Sequence, residues 1–430
     1  MAVAPTRVRT LRPGTVSASN EGGIFYWMSR DQRVQDNWAL LYARELAAEK
    51  GLPLCVVFCL VPTFLEATIR HYGFMLRGLE EVESDLGKLS VPFALLQGLP
   101  AQTLPAFFKE HKAAALVTDF SPLRVPKAWK EDVASKLPAG VPLYEVDAHN
   151  VVPVWVASDK QEVGARTLRT KITNRLPEWL VEIPPFAALG ASFAKAPPSL
   201  AKATASPIDW PAVRAALEVD RSVAEIDWCV PGTAAAHVAV ADFCTSRLKL
   251  FAEKRNDPNV HALSDLSPYI HFGQLGAQRM ALAVKGHRSA SNEGAPLSRA
   301  HHPLHHPLAA SAARPPSTAF SCLPAGVKSF LEESIVRREL ADNFCFYNAS
   351  YDSLQGAAGW ARTSLELHAS DKREHVYSLD QLEGSQTHED IWNAAQRQMV
   401  RTGKMHGFMR MCAGPRRDRK KRASSAIAFH

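Results

Sequence analysis

GGIFYWMSRDQRVQDNWALLYARELAAEKGLPLCVVFCLV, Gly22 to Val61, decides the fold class. An apolar strand-like run (GGIFYWM) gives way to a helical period (QDNWALLYARELAAEKG), and a second apolar run (LPLCVVFCLV) follows. The same alternation continues through VPFALLQG, LPAQTLPAFFKEHK, AAALVTDF, VPKAWKEDVASKL and VPLYEVD. Strands that alternate with helices pair in parallel and carry the helices on both faces of the sheet. The expectation is an α/β domain, doubly wound and Rossmann-like, over residues 22–148. It contains neither GxGxxG nor GxxxxGK[ST], the loops whose glycines let a backbone wrap phosphates, so an ordinary dinucleotide or nucleoside-triphosphate site is not expected.

On the N-terminal side, residues 1–21 hold arginine and serine with no acid before Glu21. That composition reads as a disordered leader or an organelle-type transit segment. On the C-terminal side, residues 149–209 carry the proline clusters IPPF and APPS and read as a connector with one helix near Ala165–Leu180. From Trp210 the helical period dominates, in AAAHVAVADFCTSRLKLFAEKR, FGQLGAQRMALAVK and THEDIWNAAQRQMVRTGKM, so residues 210–411 are expected to form an all-α domain. A Pro-, His-, Ala- and Ser-rich stretch, Gly286 to Gly326, reads as a low-complexity insertion within it. Its His301, His302, His305 and His306 lack neighbouring acids or a scaffold, and no metal site is assigned. Residues 412–430 form a basic tail.

Length and composition set the outer bounds. A chain of 430 residues with 46% hydrophobic content can bury a large core in two or three domains. No apolar run approaches the roughly 20 residues a membrane span needs. The seven cysteines form no CxxC pair, and a reducing intracellular compartment is expected, with nucleus or organelle both open. The net charge of +7 suggests an anionic partner, yet GPRRDRKKR alone supplies +5 of it, so any nucleic-acid surface must be a local patch.

Four stretches invite chemistry. SFLEESIVRRELADNFCFYN, Ser329 to Asn348, crowds Glu332, Glu333, Arg337, Arg338, Glu339 and Asp342 among apolar side chains. Glu333 and Arg337 lie at i and i+4 on one helical face, either as an exposed ion pair or as a partly buried charged site. In HALSDLSPYIHFGQLGAQR, Ser264 or Ser267 could cap a helix, or could present hydroxyls and free amides to an anion. Trp392 falls on a helix with Ile391, Ala395 and Met399, where most tryptophans are core. GKMHGFMRM places glycines around His406 and ends near Arg410, a rigid fork for phosphate or carboxylate.

Taken together these runs resemble the class II cyclobutane pyrimidine dimer photolyases, of the photolyase/cryptochrome superfamily. The matching stretches are YWMSRDQRVQDNWALLYA, VTDFSPLR, EVDAHNVVPVWVASDKQE, ARTLRTKITNRLPEWL, RNDPNVHALSDLSPYIHFGQ, EESIVRRELADNFCFYN, YDSLQGAAGWA and DKREHVYSLDQLEGSQTHEDIWNAAQRQMVRTGKMHGF. The resemblance implies an antenna-type α/β domain and a helical domain that binds FAD, with an antenna chromophore of unknown identity. It assigns Ser264, Leu266 and Ser267 to the FAD phosphates, and Arg337 and Arg410 to the flavin side. Glu333 corresponds to the active-site glutamate and Trp392 to an electron-path tryptophan. The implied reaction is light-driven electron transfer from reduced FAD to a pyrimidine dimer in DNA. Glu333 would then stabilise the dimer radical anion as a protonated carboxyl, its pKa raised by an apolar pocket.

The basic stretch Arg169, Lys171 and Arg175 is expected to form part of the DNA surface, on a chain expected to be a monomer. Beyond Met411 the sequence departs from the family, and the 430-residue form is expected to bind FAD weakly or not at all. A cryptochrome-like light receptor, or a DNA-binding module without catalysis, would share these features.

Overall fold

The structure is a computed structural model, and it describes residues 2–17, 22–190, 193, 195–292 and 323–411. Among the described residues the strands are β1 (Val8–Arg12), β2 (Gly23–Met28), β3 (Leu54–Leu60), β4 (Phe93–Gln97), β5 (Ala113–Asp119) and β6 (Leu143–Val146). They form one sheet in the order β1-β6-β5-β2-β3-β4. β2 to β6 pair in parallel, with Tyr26 opposite both Val56 and Val117, while β1 runs antiparallel to β6 with Val8 opposite Val146. Helices α1 (Trp38–Lys50), α2 (Ile69–Lys88), α3 (Pro100–Glu110) and α4 (Arg124–Lys136) connect the parallel strands. The segment that decides the fold class behaves as its sequence dictates. Asn37 caps α1 by accepting from the amides of Ala39 and Leu40, and Gly51 ends it in the left-handed region at φ 63°.

The N-terminal expectation is corrected. Residues 2–12 are built into the α/β domain as a short 3-10 turn (Pro5–Arg7) followed by the edge strand β1. Arg7 is buried between the rings of Trp38 and Trp179, at 5.2 and 4.8 Å, and donates to the carbonyls of Asp147, Asn150 and Val151. Three charge-assisted bonds inside the protein explain why a segment with the composition of a leader is fixed in place.

Beyond the sheet come α5 (Val154–Ala157), α6 (Ala165–Trp179) and α7 (Pro198–Ala203), so the connector is more helical than its prolines suggest, and α8 (Trp210–Ala215) follows it. The helical domain contains α9 (Thr233–Asp242), α10 (Leu248–Lys254), α11 (Ser267–His271), α12 (Ala277–Asn292), α13 (Ala325–Leu331), α14 (Arg338–Tyr347), α15 (Gly359–Leu367), α16 (Leu379–Glu383) and α17 (Asp390–Thr402). Both edges of the expected insertion are helical: α12 runs past Gly286 to Asn292, and Gly326 lies in α13. Residues 293–322, with the four histidines, and the tail 412–430 lie outside the described residues.

The core of this domain is aromatic, with Phe330 against Phe243 at 4.8 Å and against Phe251 at 5.3 Å. α13 approaches α10 so closely that a Cβ on Gly326 would meet the Leu248 carbonyl oxygen at 2.0 Å. Among the described residues no helix is long and apolar enough to cross a membrane.

The place where an open α/β sheet usually binds its ligand is the crevice where the chain reverses direction across the sheet, here between β2 and β5. That crevice is filled from within. The Asp119 carboxylate, at the end of β5, accepts from the amides of Ser29, Arg30 and Asp31 and from the Tyr26 hydroxyl. Burial, with Asp31 nearby, pushes Asp119 up to about 6. The helical domain then packs directly on this loop, where a Cβ on Gly273, at φ 65°, would sit 2.1 Å from the Arg30 carbonyl oxygen. The described interior of the sheet thus serves as a platform for the helical domain.

Candidate functional site

The stretch Ser329–Asn348 does not run as one regular helix. Between α13 and α14 the residues Glu332–Arg337 form a π-helical turn, a widening common at functional sites because it re-aims side chains. A second π turn, Phe243–Arg247, joins α9 to α10 and packs its Phe243 on Phe330.

The first π turn presents charge to the surface. Glu332 receives both arms of the Arg169 guanidinium from α6, at 2.9 and 2.7 Å, and lies 3.4 Å from Arg337. The Arg169 hydrogen bonds hold the Glu332 carboxyl below its ordinary range. Glu333 faces Arg255 at 3.3 Å, and Arg255 also donates to the Ser329 hydroxyl and lies over the Phe251 ring at 5.6 Å. The expected apolar pocket around Glu333 is not formed: its side chain is 41% exposed and its nearest charged neighbour is a cation.

The buried carboxyl groups of the stretch lie farther along. Glu339, 3% exposed, accepts from the amide of Val151 at 2.7 Å, and burial pushes its carboxyl up to about 8. Asp342 receives a two-pronged contact from Arg30 at 2.8 and 2.9 Å and a further bond from Asn150. Burial would raise Asp342, but Arg30 outweighs it and holds the carboxyl below the usual range. Neither residue was a candidate from sequence beyond belonging to a crowded stretch. Their i, i+3 spacing on the face turned to the α/β domain is the signal that singles them out.

The loop before α11 gathers basic side chains around one acid. Asp265, at φ 60°, receives Arg247 at 2.9 Å, His261 at 2.7 Å and Lys404 at 2.7 Å. Neither candidate serine caps the helix: Leu266, almost wholly buried, occupies the cap position, Ser264 is half-buried, and Ser267 is exposed at the first helical residue. His406, close enough to Lys404, Asp265 and Arg410 to feel their charges, is half-buried, and its Nε2 has no hydrogen-bond partner among the described residues. Arg410 is exposed.

Trp392 is buried in a separate small core with Leu382, Ala395 and Met405, against which Tyr377 and Met399 pack. Its helix, α17, is tied to the body at its C-terminus, where Arg70 of α2 donates to the carbonyls of Met399 and Val400 at 3.0 and 2.8 Å.

The expected DNA cations do not form one surface. At 100° per residue, Arg169 and Arg175 point about 120° apart around α6. Lys171 is held by Glu162 at 2.6 Å and by the Ser158 hydroxyl at 2.9 Å, and its hydrogen bond draws the Glu162 carboxyl down to about 2. Arg175 is exposed. The structure therefore brings Arg169 to the π turn and leaves Lys171 and Arg175 elsewhere on the helix.

A cavity of about 600 Å³ opens between the domains, lined by Arg9, Phe120, Arg124, Lys130, Phe346 and Tyr351. Arg9 lies 4.4 Å from the centroid of the Trp155 ring and 4.9 Å from that of Phe346, and its buried Nε has no hydrogen-bond partner among the described residues. Lys130 and Arg9 share Glu145. Aromatic walls with a surplus of cations suit a flat, anionic ring system.

Residues 24–188 match the family model for DNA photolyase. The chain is 51% identical over 405 residues to a deoxyribodipyrimidine photo-lyase of Potorous tridactylus, covering 94% of this chain and 69% of that protein. It is 44% identical over 423 residues to one of Arabidopsis thaliana, covering 96% of this chain and 77% of the relative. In fold it is similar to an archaeal photolyase from Sulfolobus tokodaii solved with two FAD molecules (TM-score 0.59, 15% identity, 91% of this chain and 73% of that one). It is similar also to a Synechocystis cryptochrome (TM-score 0.63, 14% identity, 93% and 77%).

Proposed function

The chain belongs to the DNA photolyase family, and from that premise we propose that it splits cyclobutane pyrimidine dimers in DNA by light-driven electron transfer from reduced FAD. The identity of 44–51% to named deoxyribodipyrimidine photo-lyases, over more than nine-tenths of the chain, carries this reading.

The residues present fit a flavin dinucleotide. Arg247, His261 and Lys404 crowd the loop that holds Ser264, Leu266 and Ser267, and the free Nε2 of His406 and the exposed Arg410 follow on the segment after α17. These groups would hold the phosphates and one side of the cofactor, and Arg337 of the π turn would act on the flavin side as the family resemblance implies. Bound reduced FAD supplies the electron that blue light releases to the dimer.

The protein's part is electrostatic. When the dimer gains charge, its carbonyl oxygens need donors already in place, because preorganised donors cost no reorganisation at the moment of reaction. Arg255 is such a donor, fixed by Ser329 and Glu333 and packed on Phe251. Glu333 orients that guanidinium and adds a second polar group beside the lesion. Trp392, buried in its own small core, would relay electrons that restore the reduced flavin. The interdomain cavity beside Arg9 is the proposed seat of an antenna pigment.

The test is direct. The purified chain, supplied with reduced FAD, is mixed with thymine-dimer DNA and exposed to blue light or kept dark. Dimers should disappear only in the light; dimers that survive illumination by protein whose absorbance shows bound flavin would overturn the assignment and mark a light receptor.

A further inference from the structure

Arg169 and Glu332 are matched in a way that Lys171 and Glu162 are not. Arg169 offers both arms of its guanidinium to Glu332, at 2.9 and 2.7 Å. The side chains are 44% and 26% exposed, so water and ions reach the pair. A phosphate presents the same two-oxygen fork as a carboxylate and can take the guanidinium without reorienting it. Lys171, by contrast, is bound to a buried Glu162 that also holds Ser158, so freeing the lysine would strand a buried acid. Glu332 would not be stranded. Its Oε1 also lies 3.4 Å from Arg337, which keeps it paired after Arg169 departs. Arg166, exposed and three residues before Arg169, lies on the same side of α6.

We propose that Glu332 is an exchangeable resting partner for Arg169, which trades that carboxylate for a DNA phosphate and so limits how tightly the protein holds undamaged duplex. The inference rests on the DNA-binding reading above. An Arg169 engaged with Glu332 contributes little net charge to the surface, and each encounter with DNA must displace the acid before a counterion is released. Affinity for any backbone is held down by that competition, and dwell on undamaged DNA is shortened with it. Lesion binding adds contacts at Glu333 and Arg255 that do not pass through the exchange.

The experiment is a fluorescence-anisotropy titration of a labelled undamaged duplex, and of the same duplex carrying one thymine dimer, across a salt series. Wild type is compared with Glu332→Gln, Arg169→Gln and the double variant. Removing the competing carboxylate should tighten undamaged-duplex binding up to about fivefold, the equivalent of one exposed ion pair, with the logarithmic salt slope little changed because Arg169 reaches a phosphate in both proteins. Arg169→Gln should weaken binding, and the gain from Glu332→Gln should vanish in the double variant.

A Glu332→Gln protein that binds undamaged duplex no more tightly than wild type overturns the exchange. So does a gain that persists without Arg169, since it would report charge alone. If wild type binds neither duplex while its thermal melt shows it folded, the DNA-binding reading itself falls, and the inference with it.

Discussion

Two halves of one stretch, separated by a few residues, use the same side chains to opposite ends. On the π turn, Glu332, Glu333 and Arg337 are half-buried or exposed and meet Arg169 and Arg255 in pairs that water can reach. On α14, Glu339 and Asp342 are buried and face Arg30, Asn150 and the amide of Val151 from the α/β domain. Exposed pairs contribute little to stability and are cheap to exchange, whereas breaking a buried pair leaves an uncompensated charge in a poorly polarisable interior. The π turn is therefore free to do chemistry because the next two turns are committed to holding the domains together.

The contrast is broken most forcefully at Asp342. Asp342→Ala leaves the Arg30 guanidinium without its carboxylate and the Asn150 amide with Asp147 alone, and we expect a loss of about 3–5 kcal/mol. Thermal or urea denaturation reads it. A loss below about 1 kcal/mol would mean the interdomain seam behaves like a surface pair, and the division drawn here would fail.

Glu339 sharpens the same division through pH. Its carboxyl titrates at about 8 in the folded protein against an ordinary 4.5, chiefly because burial disfavours the charge. The neutral form therefore suits the fold: the contribution is fully present below about 4.5 and is lost as pH rises through about 8. Glu339→Gln fixes the neutral state, so the variant should match wild type near the acid end of that window and exceed it by a few kcal/mol at the alkaline end. Urea midpoints of both proteins measured across the window check this. Parallel pH profiles would show that Glu339 stays ionised and is paired by another route.

How much of this was legible follows from range in sequence. The strand-helix-strand run at Gly22–Val61 announced the sheet because its signal is local: the period switches from strand to helix and back within one short stretch. The crowded charge of Ser329–Asn348 was visible, but its sorting into a wet half and a dry half was not. Arg30 and Asp342 are 312 residues apart, and only the packed domains bring them together. Arg7 escaped for the same reason: its carbonyl partners, Asp147 to Val151, lie on the far side of the α/β domain's sequence. Glu333 was picked out, yet its surroundings were misjudged, because the cation it faces, Arg255, lies 78 residues away in sequence. The three basic residues of α6 were adjacent in sequence and diverge on the helix, a separation that counting 100° per residue already contains.

Arg255 gives the smallest stability effect and the clearest division of labour. It sits on the wet side of the comparison, 29% exposed and opposite a Glu333 that is 41% exposed, so Arg255→Gln should cost under about 1 kcal/mol of stability. The same change removes a donor held by Ser329, Glu333 and Phe251 beside the proposed lesion site. Loss of one preorganised donor to a developing charge typically slows a reaction about 100-fold, and light-driven dimer repair should fall by that order. Denaturation curves and single-turnover repair on the same preparation separate the outcomes. Unchanged repair would deny Arg255 a part in the chemistry. A large drop in stability would move the residue to the scaffold with Arg30, because a pair that truly faces water cannot be worth several kcal/mol to the fold.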